Sequence, residues 1–122
     1  MRDNIEKTLR IVNRCPGVRG SLLMTTEGII ISSELSEEYK DDLLAAISSS
    51  ICLTIKNSLK AMNQTGFSRY IITCTREKLF LINLGKKAIL LVLTDLDIDI
   101  EQMNIVLFDV TNMLKKSGRI DI

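Results

Sequence analysis

The hydrophobic positions of this chain follow two periods that replace each other along the sequence. A period near 3.6 residues is typical of helices that bury one face, and a period of two is typical of strands. Glycine and proline turns separate the segments, and no long linker or internal repeat interrupts them. The pattern predicts helices over residues 2–14, 37–63 and 99–116, and strands over residues 18–25, 28–33, 67–75, 78–84 and 88–94.

This order of elements, α-β-β-α-β-β-β-α, predicts an α+β fold with a five-stranded antiparallel sheet. Several strands are apolar on both faces. In the first strand Val18, Leu22 and Met24 share one face, whereas Leu23 lies on the other. Strands with two apolar faces are covered by helices on both sides of the sheet.

The long predicted helix has two different faces. Ser36 is its candidate N-cap, and Gly66 is its candidate terminator. One arc consists of large aliphatic side chains that are expected to face the sheet, namely Leu44, Ile47, Ile51, Ile55, Leu59 and Met62. Small residues around one leucine form the opposite arc, and they would let a second helix approach closely. The alternative is that Leu53 is a single exposed leucine, which is common on protein surfaces.

The strand predicted over residues 67–75 lies at a sheet edge if the last three strands form a meander. Edges are normally protected by proline, bulges or charges, but here Arg69 is the only charged residue. An unprotected edge and a small-residue helix face together predict a two-fold homodimer. The predicted interface residues are Ala46, Ser49, Ser50, Leu53, Asn57, Tyr70 and Ile72.

Composition narrows the possible functions. The length of 122 residues predicts one domain over residues 1–122, and a net charge of +1 predicts no attraction to nucleic acid or anionic membranes. The chain lacks histidine, which excludes histidine-dependent catalysis and histidine metal sites.

Cys15, Cys52 and Cys74 form no CxxC motif and are expected to be reduced thiols of a cytoplasmic protein. The longest uncharged run, residues 43–55, has 13 residues and is too short to span a membrane.

Three short motifs resemble ligand sites, but each lacks part of the required pattern. The segment 85–87, Gly-Lys-Lys, lacks the first glycine of a phosphate-binding loop. Aliphatic residues separate the alternating carboxylates from Asp95 to Glu101, which favours an acidic helix start over a calcium loop. The serine run 48–50 lies inside a helix without a histidine partner. The sequence therefore predicts no catalytic residue, no metal site and no cofactor.

Two large apolar residues fall outside the main apolar arc of the last predicted helix. They are Ile105 and Phe108. Packing against the N-terminal helix is the favoured explanation, because both terminal helices are expected on the same face of the sheet. A partner-binding site is the alternative.

Four local motifs together resemble the Roadblock (dynein light chain) family over residues 5–116. They are PGVRGSLL at 16–23, TEGII at 26–30, LAA at 44–46 and AILLVL at 88–93. The resemblance implies that the long helix covers one face of the sheet and the terminal helices cover the other. It also implies dimers formed through the long helix and the third strand, in agreement with the residue pattern.

The resemblance also implies a function. Members of the family bind or regulate small Ras-like GTPases or act as adaptors, so we expect a homodimeric module that binds a Ras-like GTPase and modulates its nucleotide cycle without being an enzyme. Arg19, Arg69 and Arg76 lie near the predicted sheet, but none stands out as an arginine finger. Repositioning of the partner's own groups is therefore the favoured mechanism. The alternatives are a dimeric adaptor or scaffold subunit and a small-ligand sensor domain.

Overall fold

Residues 2–64, 68–85 and 87–116, which the computed structural model describes, form three helices and a five-stranded antiparallel sheet. The elements are α1 (Arg2–Asn13), β1 (Val18–Thr25), β2 (Ile30–Glu34), α2 (Asp41–Ala61), β3 (Arg69–Thr73), β4 (Glu77–Asn83), β5 (Ala88–Asp95) and α3 (Ile100–Lys116). The strand order is β2-β1-β5-β4-β3, so β5 is central and β3 lies at an edge. The predicted order of elements and the edge position of β3 are confirmed.

The sheet separates two hydrophobic cores. Helices α1 and α3 cover one face, and α2 covers the other. The central strand β5 contributes to both cores, because Leu90 and Val92 face α1 and α3 whereas Leu91 and Leu93 face α2. Coverage on both faces explains why residues 88–93 form an unbroken aliphatic run.

Val18 lies on the opposite side of the sheet from the predicted one. It packs against the core of α1 and α3, whereas Leu22 and Met24 belong to the core under α2. The pairing of β1 with β5 shifts between Val18 and Gly20, where three residues of β1 stand opposite two of β5. This β-bulge adds one residue to the strand, and one extra residue reverses the face on which Val18 lies.

Helix α2 begins at Asp41, later than predicted, and Ser36 is not its N-cap. The N-cap is Lys40, which has extended backbone angles and no side-chain capping bond. The Tyr39 ring packs against the core under α2, and its hydroxyl donates to Oε2 of Glu77 at 2.7 Å. Anchoring this ring over the sheet holds residues 36–39 in a turn, with the amide of Tyr39 donating to the carbonyl of Ser36 at 3.1 Å.

The other end of α2 is at Ala61, two residues before the predicted end. Asn63 follows in the left-handed region with a φ of 62°, which asparagine tolerates better than most residues. The predicted terminator Gly66, the predicted first residue of the next strand at position 67 and the glycine at position 118 lie outside the described residues.

The side of α2 that faces the sheet also differs from the prediction. Ala45, Ser48 and Cys52 are the buried residues of this helix. Ile47 and Met62, both predicted to face the sheet, are 44% and 67% exposed. The other members of the predicted arc are half-buried, namely Leu44, Ile51, Ile55 and Leu59.

Close packing explains this orientation of α2. A Cβ atom added at Gly28 would lie 3.3 Å from Cβ of Ser49 and 3.4 Å from the carbonyl oxygen of Ala45. The β1–β2 turn therefore touches the helix at positions where a larger side chain would not fit. Small residues on this side bring the helix close to the sheet, and the bulky aliphatic residues are displaced toward solvent.

Candidate interaction surface

The surface of α2 that points away from the sheet is exposed, and over residues 43–55 it is uncharged. The exposed charged residues of the helix, Asp42, Lys56 and Lys60, lie before and after this stretch. Leu53, near the middle of the helix, is 58% exposed, and the other large apolar side chains there are also accessible. A solvated helix face normally carries charged residues, so this surface is unlike an ordinary exterior. The residues that define the outer face of α2 are Leu43, Ala46, Ile47, Ser50, Leu53, Thr54 and Asn57.

Some of the residues predicted for an interface lie on this outer face, and others lie beside it. Those on the face are Ala46, Ser50, Leu53 and Asn57. Ser49 is half-buried, and its hydroxyl donates to the carbonyl oxygen of Thr26 at 2.7 Å, which ties α2 to the β1–β2 turn. Tyr70 and Ile72 on β3 are half-buried against the core under α2. In the described part of the chain, β3 pairs with β4 alone, so its other side is an open edge of the sheet.

The sequence prediction omitted Leu43, Ile47 and Thr54 from the outer face. Their omission follows from the misplaced arc of large aliphatic residues. The uncharged run 43–55 was the available signal, since a helix exposed along one face usually carries a charge in most turns.

Two of the three candidate arginines are held in polar contacts. Nε of Arg19 lies 2.6 Å from Oδ1 of Asp95, and Nη1 lies 3.4 Å from Oε2 of Glu77. The hydrogen bond to Asp95 raises the pKa of Arg19, and the neighbouring carboxylates add to it. The guanidinium of Arg69 donates to Oδ1 of Asn104 on α3. Arg76 is exposed at the turn between β3 and β4.

Phe108 and Ile105 do not pack against α1, contrary to the favoured prediction. Phe108 is 69% exposed and Ile105 is 66% exposed. The buried side of α3 consists of Met103, Leu107, Val110 and Leu114, which meet α1 and the sheet. Both residues project from the exposed surface of α3.

The sequence profile of the Roadblock/LC7 domain matches residues 4–94, which is most of the chain. The chain belongs to the Roadblock/LC7 domain family. This result confirms the resemblance drawn from the local motifs. An uncharacterized protein of Methanocaldococcus jannaschii is 24% identical to this Roadblock protein over 111 residues, which cover 91% of this chain and 93% of the relative.

Solved structures share the fold of this Roadblock protein at low sequence identity. MglB of Myxococcus xanthus is 14% identical with a TM-score of 0.89, covering 100% of this chain and 94% of that one. The gliding protein MglB of Thermus thermophilus is 16% identical with a TM-score of 0.81, covering 93% and 87%. A Roadblock/LC7 domain of Streptomyces avermitilis is 14% identical with a TM-score of 0.82, covering 98% of both chains.

The Roadblock fold brings few metal-ligating groups together. Among residues 2–64, 68–85 and 87–116, no three Cys, Asp or Glu side chains lie close enough to hold a metal ion. Within the same ranges, no helix is both long and apolar enough to cross a lipid bilayer.

The cysteines of this Roadblock protein provide a test of which side of α2 packs against the sheet. Burial on the sheet side of α2 raises the pKa of the Cys52 thiol to about 11, whereas Cys74 is exposed. Because iodoacetamide reacts with thiolates, we expect Cys74 to be alkylated at least about tenfold faster than Cys52 near neutral pH. Mass spectrometry of peptides after timed labelling measures both rates. Labelling in denaturing urea is the control and should make the two rates similar. Rapid labelling of Cys52 in the folded protein would contradict its burial between α2 and the sheet.

Proposed function

We propose that this Roadblock protein is a homodimer that binds a small Ras-like GTPase and modulates its nucleotide cycle. The observation that carries the proposal is the exposed, uncharged outer face of α2 on a Roadblock fold. In this proposal one domain spans residues 1–122, the protein is cytoplasmic, and it has no catalytic centre of its own.

The dimer would form around a two-fold axis near Leu53. Pairing two copies of the outer face of α2 removes Leu43, Ile47 and Leu53 from water, and the small residues Ala46 and Ser50 allow the helices to approach closely. A two-fold axis matches each outer face with its own copy, which suits a surface whose central stretch, residues 43–55, carries no charges that would repel each other.

The edge strand β3 would join the same interface. It has an open side in the described part of the chain, and open edges favour pairing with another strand. Tyr70 and Ile72 support the strand from beneath through the core under α2, and Ser49 fixes the helix that lies over this core. In this proposal the strand supplies backbone hydrogen bonds, and the outer face of α2 supplies apolar contact.

Support for a GTPase partner comes from the family and from the fold shared with MglB proteins. Acceleration of GTP hydrolysis depends mainly on positioning and electrostatics, and an arginine finger supplied by a regulator is one way to provide both. To reach a partner's nucleotide, Arg19 would have to leave Asp95 and Arg69 would have to leave Asn104. Arg76 is exposed at a turn and is the one candidate of the three that a single substitution has to test. Repositioning of the partner's own groups therefore remains the mechanism we propose.

Measurement of GTP hydrolysis with a co-purifying Ras-like GTPase tests the function, and a GTPase encoded beside this protein is the first candidate. We expect no turnover by this protein alone and a change of more than about tenfold in the GTPase rate when it is added. We expect Arg76→Ala to keep most of that effect, because loss of an arginine finger would cost about 10³–10⁵ in rate.

Each of the other outcomes has a definite meaning. Binding without a change in hydrolysis or nucleotide exchange would contradict regulation and favour the adaptor alternative. Loss of the rate effect in Arg76→Ala, with binding retained, would contradict repositioning. Steady hydrolysis of GTP by this protein alone would contradict the absence of a catalytic centre.

A further inference from the structure

A second surface lies on the opposite side of the sheet from the outer face of α2. An open groove of about 370 Å³ runs between α3 and the β3–β4 edge of the sheet. Leu107 contributes to its apolar floor, and Phe108 forms one flank. The exposed ring of Phe108 gives this groove an apolar surface that no described part of the chain covers.

The charges that line the groove all have the same sign. Among its described lining residues only Arg69 and Lys115 are charged, and they come from the strand and the helix on its two sides. The exposed acidic residues of α3, Glu101 and Asp109, are not part of the lining. A cationic groove with an aromatic flank complements a segment that carries both carboxylates and apolar side chains.

One polar contact links the two walls of the groove. The guanidinium of Arg69 on β3 donates to Oδ1 of Asn104 on α3, so the strand and the helix are linked beside the opening. This contact uses part of the guanidinium, which has five N–H donors and keeps others for a ligand carboxylate.

We infer that this groove binds an acidic amphipathic helix of a protein partner. An apolar side chain of that helix packs against Phe108 and Leu107, while its carboxylates pair with Arg69 and Lys115. The site lies on the other side of the sheet from the outer face of α2 and does not rest on regulation of GTP hydrolysis. Arg69 belongs to β3, the strand that would pair in the proposed dimer, but the groove is formed by the residues of one chain.

A pair of synthetic helical peptides of about 16 residues tests the inference. One carries leucines and a single tryptophan on one face and glutamates elsewhere, and the other carries lysines in place of the glutamates. Because the protein has no tryptophan, fluorescence of the peptide reports burial directly. We expect the acidic peptide to bind at least about tenfold more tightly than the basic one, and its binding to weaken as salt rises.

Substitutions in the groove locate the site. We expect Phe108→Ser to weaken binding of the acidic peptide about tenfold and Arg69→Gln with Lys115→Gln to weaken it about fivefold or more. Matched changes elsewhere should leave affinity unchanged, namely Ile29→Ser on the β1–β2 turn and Lys7→Gln on α1. All five positions are exposed, so the variants should keep the parent's circular dichroism.

Several outcomes would overturn the inference. If the two peptides bind with equal affinity, or if the groove substitutions leave the affinity of the acidic peptide unchanged, the groove is not the binding site. A change in oligomer size with Phe108→Ser would assign the groove to a second copy of this chain. If the acidic peptide binds only after residues 117–122 are deleted, those residues of the chain, and not a partner, are the ligand of the groove.

Discussion

Leu53→Lys should convert the proposed dimer into monomers that remain folded. Leu53 is exposed in the single chain, so the substitution removes no contact within the two cores. In the dimer it would remove two leucines from the interface, a loss of about 3–6 kcal/mol, and would bring two like charges together. This loss corresponds to a dissociation constant more than about 100-fold higher. Light scattering should then report the 13.7 kDa chain instead of twice that mass.

Ile105→Lys is the matched control for this experiment. Ile105 is exposed to a similar extent as Leu53 but lies on α3, on the other side of the sheet. The same type of substitution there should leave the dimer intact, and both variants should keep the circular dichroism of the parent. A Leu53→Lys protein that stays fully dimeric at low micromolar concentration would make Leu53 an ordinary surface leucine and remove the basis of the proposed interface. If the monomeric variant also loses the GTPase, the partner contacts both protomers.

Phe80→Ala and Phe108→Ala should have opposite consequences although the chemical change is the same. Phe80 is fully buried in the core between the sheet and the helices α1 and α3, so its truncation should cost about 3–5 kcal/mol. That is a large share of the roughly 5–15 kcal/mol by which domains are stable. Phe108 is exposed, and its truncation should change stability by no more than about 0.5 kcal/mol.

Urea unfolding followed by circular dichroism measures both values at one protein concentration. A fixed concentration is needed because dimer formation adds to apparent stability. A loss for Phe108→Ala as large as that for Phe80→Ala would mean that Phe108 is packed in the folded protein, and the groove beside it would then not be open. A negligible loss for Phe80→Ala would contradict the two-core architecture.

The helix and strand pattern of this protein could be predicted from its sequence because each element carries its own period. The apolar residues on both faces of the first strand predict helices on both sides of the sheet, and the two cores confirm this. Residues 69–73 follow the long helix and begin a meander, which predicts their place at the sheet edge. Local motifs also identified the Roadblock family, since its turns and strand openings are short and contiguous in sequence.

The rotation of α2 was decided only by tertiary packing. The amphipathic pattern selects the largest aliphatic residues for the sheet side, yet the β1–β2 turn at Gly28 approaches the helix closely at Ala45 and Ser49. The buried residues of the helix are the smaller Ala45, Ser48 and Cys52. Ile47 consequently joins the outer face. The later start of α2 has a similar origin, because the anchoring of Tyr39 over the sheet is a long-range contact that no local capping pattern contains.

The environments of the candidate functional side chains also depend on residues distant in sequence. Arg19 finds Asp95 and Glu77 only when β1, β5 and β4 are assembled, so its engagement could not be seen from its neighbours in the chain. Phe108 stays exposed because α1 and α3 meet through other faces of α3. Sequence periodicity therefore determined which segments are helices and strands and which residues are apolar. The distances between elements, which depend on side-chain volume and long-range hydrogen bonds, decided which apolar residues form the cores and which remain for partners.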